Sequence, residues 1–285
     1  MPEGDTIFRT ARNLGRALVG RPIIGFRSTY PWLTRFNDDT PLVGQTVEHV
    51  DARGKWLLIH FSGGGILTSH LLMNGRWHLY RQGQPWQLPR LQMRIVIENS
   101  EYQAVGFRVP VARMHTAESL KRDLHVVHAE NDLLSSDFNA DAALDRLLSR
   151  GNEAVADALL DQAVVAGVGN VFKSEVCFVN GLNPFRPVAT LTRAEAEAAL
   201  AGAQRLLRAN VLEDTGDTIV TYRGRQRRTT RASDPSASLW VYGRAGEPCR
   251  RCAEPIRRRV QGGNARVTFW CPQCQPMPDG SDVDG

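Results

Sequence analysis

Lysine is nearly missing from this sequence. Of 35 basic residues only Lys55, Lys121 and Lys173 are lysines, and the rest are arginines. A coding bias towards arginine would explain that ratio, but not where the arginines sit. No run is long and apolar enough to cross a bilayer, so an integral membrane helix is excluded. The opening residues, Met1-Pro2-Glu3-Gly4-Asp5, are acidic and lack the basic and apolar regions of a secretion signal. A cytoplasmic location follows as the expectation, and membrane partners are not expected. Cysteine is sparse at five residues. Without a secretory context a disulfide framework is not expected either. There is no internal repeat, which excludes a solenoid.

What is present is ordinary for a globular protein: 42% hydrophobic and 23% charged residues over 285 positions. That length suits one large domain or two to three small ones. The net charge of +5 is unevenly spread. Residues 1–204 are balanced, residues 205–275 carry +8, and residues 276–285 carry −3. An arginine surface concentrated at one end points to a polyanionic partner.

The hydrophobic pattern changes along the chain. Ile7, Ala11, Leu14 and Leu18 recur at helical spacing and predict a helix over 5–19, capped by Asp5 or Thr6. Residues 22–108 contain short β-rich runs such as Trp56–Phe61 and Arg94–Ile97, broken by Gly and Pro, which predict a β-sandwich or barrel. After about residue 115 the pattern turns helical. Asn139 and Asp141 stand as caps before Ala142–Leu148, segments 153–160 and 171–179 read as helices, and Thr192-x-x-Glu195 has the form of a capping box. Residues 213–238 read as an exposed loop, and the acidic tail 276–285 as disordered. The expected organisation is α+β: a helix and β-sandwich domain at 1–115, a helical domain at 116–238, a cysteine module at 239–275, then the tail.

Four cysteines fall as Cys249-x2-Cys252-x18-Cys271-x2-Cys274. Two such knuckles fit one tetrahedral Zn2+, with two disulfides as the alternative. Four thiolates leave no open position, so the expected role is structural. The intervening segment can form a hairpin carrying Arg266. Cys177 stands apart and reads as a buried helix residue.

At the N-terminus, removal of Met1 would expose the secondary amine of Pro2. An α-amino pKa near 8 leaves part of it neutral at pH 7, able to attack a carbonyl-like carbon. Glu3 beside it is placed to move protons.

Several motifs occur in one order: Met1-Pro2-Glu3-Gly4, Arg53-Gly54-Lys55, Ser69-His70, Leu159-Leu160-Asp161-Gln162-Ala163 with Ala166-Gly167-Val168-Gly169-Asn170, and Val241–Cys249 running on to Trp270–Gln275. Over residues 1 to about 275 the chain closely resembles the formamidopyrimidine-DNA glycosylase/endonuclease VIII family. The resemblance implies an N-terminal helix and β-sandwich, a helix-two-turns-helix domain and a C-terminal zinc finger. It implies a monomer, associated with the bacterial nucleoid, that flips a damaged base out of double-stranded DNA, removes it, and cuts the backbone at the abasic site by β,δ-elimination. Pro2 matches the nucleophile, Glu3 the general acid, Lys55 the phosphate-contacting proton donor, and Arg266 the arginine that grips phosphate around the flipped nucleotide. His70, Asn170 and His128 match DNA-contacting positions. Leu72 and Met73 stand where the family fills the hole left by the base, unless they are core residues of a strand. Gly4 in place of Leu, and Val105-Gly106-Phe107-Arg108-Val109-Pro110 in place of a more basic stretch, favour the endonuclease VIII branch and oxidised pyrimidines. Thr6 replaces a frequent acidic residue. The alternatives are a purine-lesion glycosylase on the same scaffold and a non-catalytic zinc-finger protein for damaged DNA.

Overall fold

The computed structural model describes residues 2–123, 125–126, 128–212, 238–263 and 265–280. The chain divides into two compact units, Met1–His128 and Ala129–Gly285. The predicted loop 213–238 and the end of the acidic tail lie almost wholly outside the described residues.

The first unit opens with helix α1, Gly4–Leu18, whose apolar stripe Ile7, Ala11, Leu14 and Leu18 is buried as the periodicity requires. Its cap differs from the expectation. Glu3 is the N-cap residue, while Asp5 is buried in the first turn and pairs with Arg9 at 3.2 Å. Two antiparallel four-stranded sheets follow. One is ordered β1 (Gly25–Ser28), β6 (Met93–Glu98), β7 (Tyr102–Phe107), β5 (Arg76–Arg81). The other is β2 (Val47–Arg53), β3 (Trp56–Phe61), β4 (Ile66–His70), β8 (Val111–His115). Leu57, Ile59, Phe61 and Leu67 of one sheet share a core with Ile95, Ile97 and Ala104 of the other and with the stripe of α1. This is a β-sandwich closed by a helix, its strands alternating between core and outer face. A helix the strand pattern concealed, α2 (Pro31–Asp39), interrupts the β region. Pro31 at its first turn was the signal for it.

The second unit is helical. After α3 (Ala117–Arg122), which belongs to the first unit, come α4 (Ala140–Leu148), α5 (Val155–Leu160), α6 (Asn170–Val179) and α7 (Arg193–Leu212). Asn139 caps α4 by accepting from the Ala142 amide at 3.0 Å. The capping box forms as predicted: Thr192 Oγ1 accepts from the Glu195 amide, and Glu195 Oε2 accepts from the Thr192 amide. Leu144, Leu159, Phe172, Val176 and Leu200 join in one core. The hairpin of β9 (Arg257–Gln261) and β10 (Arg266–Trp270) packs on α6 beside the cysteines.

Candidate functional site

Lys55 owes its position to a hairpin. Arg53 pairs with Trp56, so Gly54 and Lys55 form a two-residue turn between β2 and β3. Gly54 has φ +58°, a value glycine adopts without strain, and Gly-X is the composition such a turn requires. Trp56 in turn lies opposite His70, the last residue of β4, with the rings edge to face at 5.1 Å. The two sequence-predicted residues Lys55 and His70 are thereby brought together. Burial first, and then the Lys55 ammonium, pull the His70 imidazole down to about 4. It is neutral at pH 7. Its Nδ1 accepts the Leu72 amide at 3.1 Å, which leaves Nε2 carrying the proton as a donor.

The chain then enters a tight turn. Leu71 is buried, and its carbonyl accepts from the Gly75 amide at 2.8 Å. A Cβ on Gly75 would meet that carbonyl oxygen at 2.7 Å, so the turn closes only over glycine. Leu72 sits at φ +45°, a conformation costly for a branched side chain. Leu72 and Met73 are 48% and 57% exposed. They are displayed on a strained turn, not buried in a strand.

Glu3 is fully buried at the N-terminal end of α1, with Pro2 half-buried beside it. Burial also raises the Asp5 carboxyl above its ordinary value, opposed by Arg9. Helix α1 packs on β2 and β3, so the N-terminus and the Lys55 hairpin belong to one body. His128 is exposed and lines a cavity of about 290 Å3 with His49, Arg53, His60 and Lys121.

In the second unit Gly169 caps α6 and Asn170 is its first residue. Asn170 is nearly buried. Its Nδ2 donates to the Val267 carbonyl at 3.1 Å, which ties the start of α6 to β10. Arg266, next to Val267, is exposed at the start of that strand. Gln162 braces the preceding turn: its Nε2 donates to the Leu160 and Val168 carbonyls, and its Oε1 accepts from the Gly167 amide. Glu175 is fully buried in α6, and its carboxylate accepts the amides of Trp240, Val241 and Tyr242 at 2.8–2.9 Å. Neither supporting role was read from the sequence, because each depends on backbone that folding brings to the side chain.

The four predicted cysteines converge. Cys252 Sγ lies 3.5 Å from both Cys271 and Cys274, and Cys249 lies 3.9 Å from Cys274. These distances exclude disulfides. They match the roughly 3.8 Å edge of a tetrahedron with Zn–S bonds near 2.3 Å. The amides of Arg251 and Cys274 donate to Cys249 and Cys271 sulfurs, as in a zinc knuckle. Cys177 is fully buried, and burial pushes its thiol up to about 12, which makes it inert.

These elements have recognised counterparts. Residues 1–109 match the formamidopyrimidine-DNA glycosylase N-terminal domain, residues 130–222 the formamidopyrimidine-DNA glycosylase H2TH domain, and residues 246–276 a zinc finger found in FPG and IleRS. The chain is 40% identical over 284 residues to a Streptomyces coelicolor protein named Probable endonuclease 8 2, covering 98% of this chain and 95% of that one. It belongs to the formamidopyrimidine-DNA glycosylase/endonuclease VIII family. The DNA-(apurinic or apyrimidinic site) lyase Nei2 of Mycolicibacterium smegmatis is 38% identical over 96% of this chain and 99% of its own. Endonuclease 8 of Escherichia coli is 31% identical over 96% and 100%. The family fold is matched by the Lactococcus lactis formamidopyrimidine-DNA glycosylase bound to DNA containing an abasic site, at TM-score 0.78 and 23% identity over 97% of this chain and all of that one. As in the family, the four cysteines form the site of one structural zinc, which would hold the β9–β10 hairpin. No helix among the described residues is long and apolar enough to cross a membrane.

Proposed function

We propose that this chain is a bifunctional DNA glycosylase and abasic-site lyase of base excision repair, with oxidised pyrimidines as preferred lesions. The observation that carries this reading is the intact set of Pro2, buried Glu3 and the Lys55–His70 pair on the first unit of a family member whose curated relatives are endonucleases 8.

The chemistry follows from the groups. Once Met1 is removed, the neutral Pro2 nitrogen attacks C1′ of the lesion nucleotide, and the bond from C1′ to the base breaks, the departing base taking up the proton that the amine gives up. Glu3 supplies a proton to the sugar as its ring opens, and the nitrogen and C1′ are left joined as an iminium. Loss of a C2′ proton to a base then expels the 3′ phosphate. Loss of a C4′ proton expels the 5′ phosphate. Lys55 serves as a proton donor and phosphate contact, because an ammonium, unlike a guanidinium, can change protonation state. His70, neutral with its proton on Nε2, is a phosphate donor that needs no charge. Asn170, His128 and Arg266 contact backbone phosphates, with Arg266 at the flipped nucleotide. Leu72 and Met73 enter the stack where the base has left, offsetting lost stacking with apolar contact. The protein acts on double-stranded DNA as a monomer.

The test uses duplexes carrying 5-hydroxyuracil, 8-oxoguanine or an abasic site. Faster excision of 5-hydroxyuracil, with both flanking phosphates cut at the abasic site, is expected. Faster excision of 8-oxoguanine would assign the purine branch. Binding without any incision would make the chain a non-catalytic damage-binding protein.

A further inference from the structure

A second set of metal-ligand side chains stands on the outer face of the β2–β3 hairpin, away from the cysteines. Val47 pairs with Phe61, yet His49 pairs with His60, so β2 carries one extra residue between these points. That bulge shifts the register, sets His49 opposite His60, and leaves Asp51 two residues on with the same facing. The inner neighbours Ile59 and Phe61 go into the core. His60 is almost covered, with only 11% of its side chain exposed, while His49 and Asp51 reach solvent.

The geometry is that of converging ligands. Asp51 Oδ2 lies 3.4 Å from His49 Nε2 and 3.2 Å from His60 Nε2. Donors sharing one tetrahedral Zn2+ at about 2.1 Å stand roughly 3.4 Å apart. All three donor atoms lie within 4.8 Å of one another. The imidazoles stack at 3.7 Å and 18°. His60 Nε2 is buried and lacks an aligned hydrogen bond, despite the nearby carboxylate. One cation placed between them would engage both nitrogens and the carboxylate together.

We propose that His49, Asp51 and His60 bind a second divalent d-block cation, of the Zn2+ class, on the first unit. Two imidazoles and a carboxylate suit that class and leave coordination positions open. The imidazoles border the cavity of about 290 Å3 that Arg53, Lys121 and His128 also line, so water or a small anion can complete the shell from that side. The bound ion ties β2 to β3 within the hairpin whose turn is Gly54-Lys55. The site is therefore positioned to stiffen the Lys55 turn, and it stands independently of the catalytic reading.

The test takes the full chain with one zinc already at the four cysteines and titrates it with Zn2+ and, separately, Co2+. Calorimetry and metal analysis should count a second equivalent. Co2+ in that site should give the weak visible bands of nitrogen and oxygen ligands, without thiolate charge transfer. His49→Gln, at an exposed position, and Asp51→Asn, at a half-buried one, should weaken the second equivalent at least ~10-fold and leave the first in place. Melting temperatures without added metal check that these variants fold. A single equivalent in the unaltered chain, or a second one untouched by both substitutions, would overturn the proposal.

Discussion

Two hairpins present Lys55 and Arg266, the cationic side chains proposed to contact phosphate, and they differ in what holds them. In β2–β3 the inner strand is almost wholly buried, and Leu57, Ile59 and Phe61 enter a core shared by two sheets and α1. In β9–β10 the strands are five residues each, and Arg258, Arg259 and Val260 are exposed. Its small core includes Phe269 and Ile256 together with two zinc-site cysteines, Cys249 and Cys271. Apolar burial positions Lys55, whereas Arg266 stands on a hairpin that zinc at the four cysteines would hold. The lesson is one of scale: a module this small cannot bury enough surface to fix a hairpin, so a metal supplies the constraint.

Removing the zinc should produce the largest difference between the two. A strong chelator should abolish amide-exchange protection in 257–270 and DNA binding with it, while 47–61 stays protected. Simultaneous loss of protection in both hairpins would break the distinction. The reciprocal change is Ile59→Ala, which leaves a cavity in the sandwich core and should cost about 2–5 kcal/mol in urea unfolding, with zinc content unchanged. Within the second unit, Glu175→Ala leaves three backbone amides without their carboxylate. It should cost about 3 kcal/mol and loosen 240–242 by amide exchange before it affects the first unit. The smallest effect concerns His70. In the folded chain it takes up a proton only near pH 4, whereas in the unfolded chain it does so near 6.5. The unfolded state therefore binds more protons between those values, and stability contributed by neutral His70 is full above pH 6.5 and lost as pH falls towards 4. The His70 ring resonances should not titrate between pH 6 and 8. A midpoint near 6.5 would mean that neither burial nor Lys55 acts on the ring.

Much of this was legible before folding. The zinc set was readable because two short knuckles need only sequence spacing. Helix α1 and the Thr192–Glu195 box were readable because their signals are local. The N-cap of α1 was misread, since Glu3 holds that place by backbone conformation, its side chain making no capping hydrogen bond to the helix. Helix α2 was hidden by the β-rich residues around it. Glu175 looked like any helical glutamate, because its partners lie 65–67 residues further on. The His49–Asp51–His60 set needs the bulge that realigns β2 against β3, and no spacing rule contains it.

In the proposed mechanism the first unit carries the covalent chemistry through Pro2. Borohydride reduction in the presence of a duplex containing an abasic site tests it most directly, with intact mass confirming loss of Met1. The expected result is a covalent protein–DNA adduct at the N-terminal residue that is lost in Pro2→Gly although that variant still binds the duplex. An adduct that survives Pro2→Gly, or that maps to Lys55, would contradict it.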